Sequence, residues 1–430
     1  MLHLLLGTDW TANRDEVMKR IAADVAGRRG NRILMVPELI SHETERRLCA
    51  AAGDTASRYA EVLSFTRLAR RVADSMGSAA EECLDNGGRV VAMAAAAKNL
   101  SSRLKAYAAV ETKPEFLTGL IDAVDEFKRC CISSADLSRA AGETEGSLAQ
   151  KLEELSLLME SYDALCSRGK RDPRDQMTWL LEQMEQGDFA REHVFYIDGF
   201  PDFTRQHLAI LEHLIQASPD VTVSLNCDRE SSHLLAFEKA GDTASQLFLC
   251  VRRAGVDVQI EIIPEKRLPL SPVRERLLQG VISSGAAKEC LDVFRAESPY
   301  LECMGAAERI PGLLAAGCRC RDITVVCTDM TVYQPLVNLV FHRLHIPVYQ
   351  SGTEDILQKS VIATVLMALD AALSGFDQKS VLRYLRSALS PVDPDTCDRI
   401  ENYAIIWGIR GQKWTQSWDC LLYTSPSPRD

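Results

Sequence analysis

The chain has 430 residues, a formal net charge of −11 at pH 7, and 25% charged residues. This length predicts two or three domains with enough apolar sequence to form cores. The acidic balance argues against a free-standing nucleic-acid-binding protein, although it is compatible with a local basic channel. None of the 14 cysteines forms a C-x-x-C pair, so we expect reduced thiols in a cytoplasmic protein and no metal site.

The sequence contains no segment that predicts a membrane span or a secretory signal. The apolar start of the chain is short and has no preceding basic residues. The longest apolar stretch, residues 361–373, is too short to cross a bilayer and contains Asp370. We therefore predict a buried helix there and no membrane association.

Residues 1–86 alternate apolar strands with amphipathic helices. Strands are predicted at 3–7, at 32–39 and at the start of 60–77, and each is followed by a helix. This βαβα order predicts an α/β domain with a parallel sheet covered by helices. Residues 87–188 are helical in pattern throughout, and strands return only within 189–228. We therefore predict an all-helical domain, 87–188, inserted into an α/β domain formed by 1–86 and 189–228.

The remaining chain predicts a connection and a second, incomplete α/β domain. Residues 229–295 are weakly patterned and are interpreted as the connection. The second domain, 296–419, is predicted from strands at 321–329 and 346–352 alternating with helices. The last stretch, CLLYTSPSPRD at 420–430, matches the translation of a common sequencing-library adapter. We therefore expect 420–430 not to be native and the natural protein to extend beyond Asp419.

The stretch LLLGTDWTANR at 4–14 has the shape of a phosphate-binding loop without its defining residues. The motif G-x-x-x-x-G-K-[ST] needs a second glycine, a lysine for the phosphates and a hydroxyl for Mg²⁺. Counting from Gly7, those positions hold Ala12, Asn13 and Arg14, and Asp9 places a carboxylate where phosphate would lie. We predict a strand–turn–helix entry that binds no nucleotide.

A second candidate, VFYIDGF at 194–200, resembles the strand that presents an aspartate to Mg²⁺ in phosphate-loop ATPases. Gly199 follows Asp198 where helicases have the glutamate that activates water, so Asp198 is interpreted as a turn residue. No arrangement of nucleophile, base or paired carboxylates can be singled out, and the pair His342 and His345 lacks a metal-binding pattern. We predict no catalytic residue and no metal ligand.

Basic clusters are the remaining candidates for a binding role. The cluster RLARR supplies Arg67, Arg70 and Arg71 as candidate DNA contacts, and similar runs lie at 27–32 and 167–174. Clusters of this kind are also typical of solvated helix faces. The residues alone leave both interpretations open.

Several stretches together resemble the AddB/RexB family, the B subunits of the bacterial ATP-dependent helicase–nuclease that processes double-strand breaks. They are found, in the same order along the chain, at 36–72, 120–137, 151–165, 194–211, 321–352 and 399–411. The resemblance implies a superfamily 1 helicase-like fold: tandem RecA-like domains with an inserted helical domain.

The resemblance also implies partners and cofactors. The A subunit is the motor that uses ATP, and the helicase-like part of the B subunit holds DNA. The nuclease domain, with Mg²⁺ and a four-cysteine 4Fe–4S cluster, would follow this segment, so none of its cysteines is assigned to the cluster. Family members commonly have Lys and Thr at the positions of Asn13 and Arg14, and the arginine that superfamily 1 motors use near Thr328 and Asp329 is missing.

The resemblance therefore implies the N-terminal part of a helicase–nuclease subunit acting as a catalytically silent platform for DNA and the A subunit. Two alternatives stay open at this point. One is an independent nucleotide-binding enzyme that uses Arg14 in place of lysine. The other is an interaction protein with no role on DNA.

Overall fold

The computed structural model describes residues 1–77, 83–107, 113–229, 234–265, 291–350 and 356–418. The predicted adapter at 420–430 lies outside these residues. The chain divides into two compact units, Met1–Asp292 and Val293–Asp430, which are described separately.

The first unit contains six strands and eleven α-helices within its described residues. The strands are β1 (Leu2–Gly7), β2 (Arg32–Met35), β3 (Ala60–Leu63), β4 (Val194–Ile197), β5 (Val221–Asn226) and β6 (Val258–Ile262). The helices are α1 (Trp10–Ala26), α2 (Ser41–Ala52), α3 (Phe65–Ser75), α4 (Asn86–Asn99), α5 (Pro114–Arg129), α6 (Ser134–Gly142), α7 (Gly146–Cys166), α8 (Gln176–Gln186), α9 (Phe189–Glu192), α10 (Arg205–Ala217) and α11 (Glu238–Ala254).

The strands form one parallel sheet in the order β3-β2-β4-β5-β1-β6. In this order β5 lies between β1 and β4, and Leu4 of β1 is opposite Val223 of β5. The predicted α/β class with a parallel, helix-covered sheet is confirmed. All six carboxyl ends lie at one edge of the sheet, which is where parallel α/β proteins place their sites.

Both faces of the sheet are buried, which explains why its central strands are continuous apolar runs. Leu4 and Leu6 face a core that includes residues of α3, α8, α10 and α11. Leu5, between them, faces the opposite core with residues of α1 and α2. This alternation follows from the two-residue period of a strand.

The helices α4–α7 have a hydrophobic core of their own, centred on the fully buried Tyr162. The buried carboxylate of Glu154 on α7 accepts hydrogen bonds from the backbone N–H groups of Lys105, Ala106 and Tyr107. Burial alone would raise the pKa of Glu154, but these hydrogen bonds outweigh it and lower that pKa. The helices predicted for this stretch are confirmed, and below they are called the helical block.

The prediction that residues 229–295 form a weakly patterned connection is wrong for part of this stretch. It contains α11 and β6, and β6 extends the sheet by pairing with β1, with Leu4 opposite Ile260. As an edge strand, β6 has only intermediate to exposed side chains, including Glu261. Its sequence therefore lacks the apolar run that marks the central strands. Residues 266–290 of the predicted connection lie outside the described residues.

The second unit contains five α-helices within its described residues, numbered here in continuation. They are α12 (Pro299–Ala315), α13 (Met330–Arg343), α14 (Ser360–Leu373), α15 (Gln378–Leu385) and α16 (Pro394–Trp407). The predicted helices of this region are confirmed.

The strands predicted for the second unit are not formed in its described part. A short 3₁₀-helix covers Cys320–Asp322, and residues 323–327 follow without strand pairing. Residues 346–350 are also unpaired, and 351–352 lie outside the described residues. A strand needs a neighbour for its backbone N–H and C=O groups, and the described part of this unit provides none.

The apolar stretch at 361–373 is helical, as α14, but the prediction that it is buried is wrong. Only Ala371 of this helix is buried. Val361, Val365 and Leu369 are each more than half exposed, at the four-residue spacing that aligns side chains on one helix face. Apolar composition therefore predicted the helix correctly and its environment incorrectly.

The carboxyl edge of the first sheet also positions an aromatic stack. The ring of His207 on α10 lies parallel to Phe65 on α3, with ring centroids 4.0 Å apart. Phe65 in turn contacts Phe200 edge to face, with centroids 5.5 Å apart. Burial lowers the pKa of His207 from 6.5 to about 4, against a smaller opposing effect from Asp202.

His207 stays neutral in the folded protein, whereas an unfolded histidine protonates below pH 6.5. The contribution of His207 to folding stability is therefore fully present above that pH. It is lost progressively as pH falls from 6.5 to about 4. We expect the His207→Phe variant, which keeps the stack but cannot titrate, to lose about 3 kcal/mol less than the unmodified chain over this interval. Urea unfolding at several pH values measures the difference. An unchanged pH dependence of stability in His207→Phe would contradict the assignment.

Candidate functional site

The candidate site is a cleft of about 340 Å³ at the carboxyl edge of the first sheet. Three chain segments meet there: the turn after β1, the turn after β4 and the end of β5. Side chains of these segments line the cleft: Trp10, Asn13, Arg14, Asp198, Phe200, Pro201, Ser224 and Asn226, together with the backbone at Gly199. The structure thus brings together the two motifs that the sequence singled out separately.

The first turn of α1 is capped by the carboxylate of Asp9. This almost fully buried side chain accepts hydrogen bonds from the backbone N–H groups of Thr11, at 2.9 Å, and Ala12, at 3.4 Å. The N-terminus of a helix is the pole that binds phosphate in nucleotide sites, because its N–H groups are free and its dipole favours negative charge. Here a side chain of the protein already occupies it.

Asn13, at the lysine position, is directed toward the sheet edge. Its Nδ2 donates to the carbonyl oxygens of Gly7, at 3.1 Å, and Leu225, at 2.9 Å, and so joins the ends of β1 and β5. A Cβ atom on Gly7 would lie 2.0 Å from Asn13 Oδ1 and 3.2 Å from Ile263 Cβ, so a larger residue here would displace the hydrogen-bonded Asn13 side chain. Gly7 is therefore needed for close packing against Asn13, whatever the turn binds.

Arg14, at the hydroxyl position, forms a buried ion pair with Asp198. Arg14 Nε lies 3.1 Å from Asp198 Oδ2, and the two side chains are only 10% and 7% exposed. The guanidinium also lies over the indole of Trp10, 4.8 Å from the ring centroid. Asp198 is thus a buried partner of Arg14 as well as part of the turn that sequence reasoning assigned to it.

Gly199 is required by the shape of the turn after β4. Its φ is +82°, and a Cβ atom would lie 3.0 Å from Ile40 Cδ1 and 3.7 Å from Arg14 Nη2. A glutamate at this position would therefore be strained. The turn at Gly199 therefore disfavours a glutamate that could activate water, and the same turn allows Arg14 to approach the backbone closely.

The three arginines proposed to contact DNA lie on α3. Arg67 pairs with Glu45 at 2.7 Å, and Arg71 pairs with Glu61 at 3.1 Å. Arg70 is exposed at the surface. Two of the three charges are therefore already offset by carboxylates of α2 and β3, a feature that the run of basic residues in the sequence does not reveal.

Asp329, near which the family resemblance implies that a motor arginine is missing, caps α13. Its Oδ1 accepts from the backbone N–H of Thr331 at 2.9 Å. Among the residues that the structure describes, no three His, Cys, Asp or Glu side chains are grouped so as to hold a metal ion. Within those same residues, no helix combines the length and apolar character needed to cross a membrane.

The sequence is similar to those of proteins from several bacteria. It is 26% identical over 408 residues to a Clostridium acetobutylicum protein that is named as the B subunit of an ATP-dependent helicase/deoxyribonuclease. It is 28% identical to proteins of the same name from Desulforudis audaxviator, over 404 residues, and Moorella thermoacetica, over 407 residues. Each alignment covers about 90% of this chain and 35% of the relative, so the chain spans about a third of these relatives' length.

The family model described as "ADDB, N-terminal" matches residues 4–273. The match covers the six strands of the sheet apart from the first two residues of β1, and it includes both turns of the cleft and the helical block. On this ground, the chain belongs to the AddB family and corresponds to its N-terminal region.

Proposed function

We propose that this chain is the N-terminal part of a B subunit of an ATP-dependent helicase–nuclease that processes DNA double-strand breaks for recombinational repair. In this proposal it is a catalytically silent, helicase-like platform for DNA and for an A subunit that carries the motor. The names of the relatives support the parent complex. The contacts of the cleft support the silent role.

The strand order supports a RecA-like first domain. In nucleotide-hydrolysing members of that fold, the phosphate loop follows one strand and the Mg²⁺-binding aspartate another, with a third strand between them. Here β5 lies between β1 and β4, and the helical block is inserted between β3 and β4. On the family resemblance alone, we also propose that 296–419 is an incomplete second RecA-like domain; its described residues form no paired strands that would support it.

The single observation that carries the silent role is that side chains of the chain occupy the places of the ligands. The Asp9 carboxylate lies at the helix pole that would hold a phosphate. The Arg14 guanidinium lies against Asp198, where a Mg²⁺ ion would be held. Asn13 hydrogen-bonds to backbone carbonyls and brings no positive charge. ATP and Mg²⁺ therefore do not fit this loop.

The alternative of a nucleotide-binding enzyme would need Arg14 to serve as the phosphate-binding cation. Its pairing with Asp198 opposes that role, because phosphate contact would leave a buried carboxylate unpaired. The alternative of an interaction protein without DNA differs from the proposal only in whether DNA binds. The two are separated by the DNA measurement below.

The first prediction of the proposed function concerns nucleotide binding. Calorimetric titration of the chain with ATP and Mg²⁺ should give no binding heat, and ATP should not raise the unfolding temperature, since only a ligand that binds the folded state stabilises it. A helicase with an intact phosphate loop serves as the positive control. A dissociation constant in the micromolar range would contradict the silent role.

The second prediction concerns the Arg14–Asp198 pair. Arg14→Met and Asp198→Asn should each lower the free energy of unfolding by about 3–5 kcal/mol, because each leaves one buried charge unpaired. The double variant should lose less than the sum, with a coupling of up to about 3 kcal/mol. The exposed pair Arg71–Glu61 is the matched control and should couple by less than about 1 kcal/mol. Additive losses at Arg14 and Asp198 would argue against the pair.

The third prediction concerns DNA. Binding of single-stranded DNA should be weak and should fall steeply with salt, since phosphate contacts release counterions. Arg70→Gln should reduce the salt slope by about one unit. Arg67→Gln and Arg71→Gln should have smaller effects, because Glu45 and Glu61 already offset those charges. Filter binding across a salt series measures the slopes. Equal effects of the three substitutions would show that the ion pairs open on DNA, and no binding at all would favour the pure interaction protein.

A further inference from the structure

The helical block is joined to the rest of the first unit by two chain connections, which lie side by side at the described residues Cys83, Leu84 and Arg171. One leads from α3 into α4 and the other from α7 into α8. They meet at a parallel β-bridge between Cys83 and Arg171, where the backbone N–H of Leu84 donates to the Arg171 carbonyl oxygen at 2.8 Å. This joint is the place where the block would pivot if it moved relative to the sheet.

The residue after the bridge, Asp172, is completely buried. Its Oδ2 lies 3.4 Å from Arg89 Nη2 and 3.4 Å from Lys128 Nζ, and its Oδ1 accepts from the backbone N–H of Arg174 at 2.8 Å. A carboxylate with no access to water needs this compensation, because the unpaired ion would be strongly disfavoured. Arg89 and Lys128 belong to the block, whereas Asp172 belongs to the connection.

More charged groups surround these three side chains. Arg89 also pairs with Asp125 and donates from Nε to Tyr162 Oη at 3.2 Å. Lys128 Nζ lies 2.8 Å from Asp163 and 2.6 Å from Asp175. Burial opposes the charge on Lys128, but the carboxylates around it outweigh burial and raise its pKa. We call the set Arg89, Asp125, Lys128, Asp172 and Arg174 the joint cluster.

The joint cluster continues into the helix that follows the cleft. Arg174 Nε lies 2.8 Å from Asp125, and the Arg174 carbonyl oxygen accepts from Gln206 Nε2 at 3.0 Å. Gln206 is in the first turn of α10, and the same side chain reaches Thr178 on α8 at 3.3 Å. The charged side chains of the joint cluster thus belong to α4, α5 and the α7–α8 connection. Helix α10 contacts this connection through the hydrogen bond of Gln206.

We propose that the joint cluster is a latch that fixes the helical block to the α/β sheet, with Asp172 as its central residue. It makes the block and the sheet one rigid body in the absence of any ligand. It does not depend on whether the cleft binds nucleotide, so this proposal and the silent role can fail separately.

Asp172→Asn is the substitution that tests the latch. If the oxygen of the new side-chain amide keeps the hydrogen bond from the Arg174 N–H, its NH₂ group faces the cationic heads of Arg89 and Lys128. If the amide is flipped, the backbone N–H of Arg174 loses its acceptor instead. Either arrangement loosens the joint while leaving the cores of the block and of the sheet intact.

Native-state hydrogen exchange of the whole chain is the measurement. In Asp172→Asn, the amides of Leu84 and Arg174 should exchange on the order of 10-fold faster, whereas those of β1, β5 and the centre of α7 should keep their protection. Asp188→Asn, which removes an exposed aspartate paired with Arg191, is the matched control and should change neither region. Arg174→Gln removes only the half-exposed end of the cluster and should give a smaller increase at the same two amides, which keeps the test available if Asp172→Asn does not fold.

Two results would overturn the latch. One is an exchange increase spread evenly over sheet and block, which would show that Asp172 supports global stability alone. The other is unchanged exchange at Leu84 and Arg174 in both variants, which would show that the joint is held by other contacts.

Discussion

The buried ion pair between Arg14 and Asp198 connects the two turns of the candidate cleft, which the sheet keeps apart. β5 lies between β1 and β4, so a short side chain in the first turn of α1 would not reach the end of β4. Nucleotide-hydrolysing proteins bridge this gap with a bound metal ion between a hydroxyl and the aspartate. In this chain the long arginine side chain closes the gap itself, and Trp10 covers its outer face.

Several other polar groups at the same edge of the sheet are paired within the chain, although the buried Oδ1 of Asn13 has no hydrogen-bond partner among the residues that the structure describes. Asp9 caps the helix N–H groups, and Asn13 supplies donors to two strand-end carbonyls. Sites that await an anion usually leave such N–H groups free. The capped helix end and the paired Arg14 and Asp198 are the features of this turn that support the proposed platform.

The sequence predicted the central strands and their helices because strands buried on both faces are continuous apolar runs, as Leu4, Leu5 and Leu6 illustrate. The sequence places the Asp9 carboxylate in the turn before α1, and the structure adds that it caps that helix, which is a local feature. The sequence did not predict the pairing of Arg14 with Asp198, which depends on strand order across 184 residues of chain. A signal was present: an arginine stands at a metal-binding position while an aspartate is retained at the end of another strand.

The other differences between the sequence-based predictions and the structure have a common physical origin. The sequence does not predict β6, because an edge strand has no need of an apolar run. The apolar residues within 321–329 predict a strand, but strand pairing depends on a partner. Likewise, the apolar residues of α14 predict a surface suited to burial, but what covers a helix is set by the neighbouring elements. Local sequence specifies a conformation well, whereas burial and pairing are properties of the assembly of elements.

Helix α10 connects the cleft to the joint cluster. The turn after β4 carries Asp198 and Phe200, and α10 begins immediately afterwards, with Gln206 bonded to the Arg174 carbonyl and His207 stacked on Phe65. In a motor protein the corresponding edge changes shape with each nucleotide cycle. Here an internal ion pair fixes one end of this path and a buried aspartate fixes the other. If the proposed function and the proposed latch both hold, the helical block would present a constant surface to DNA and to the A subunit, and movement would come from that subunit.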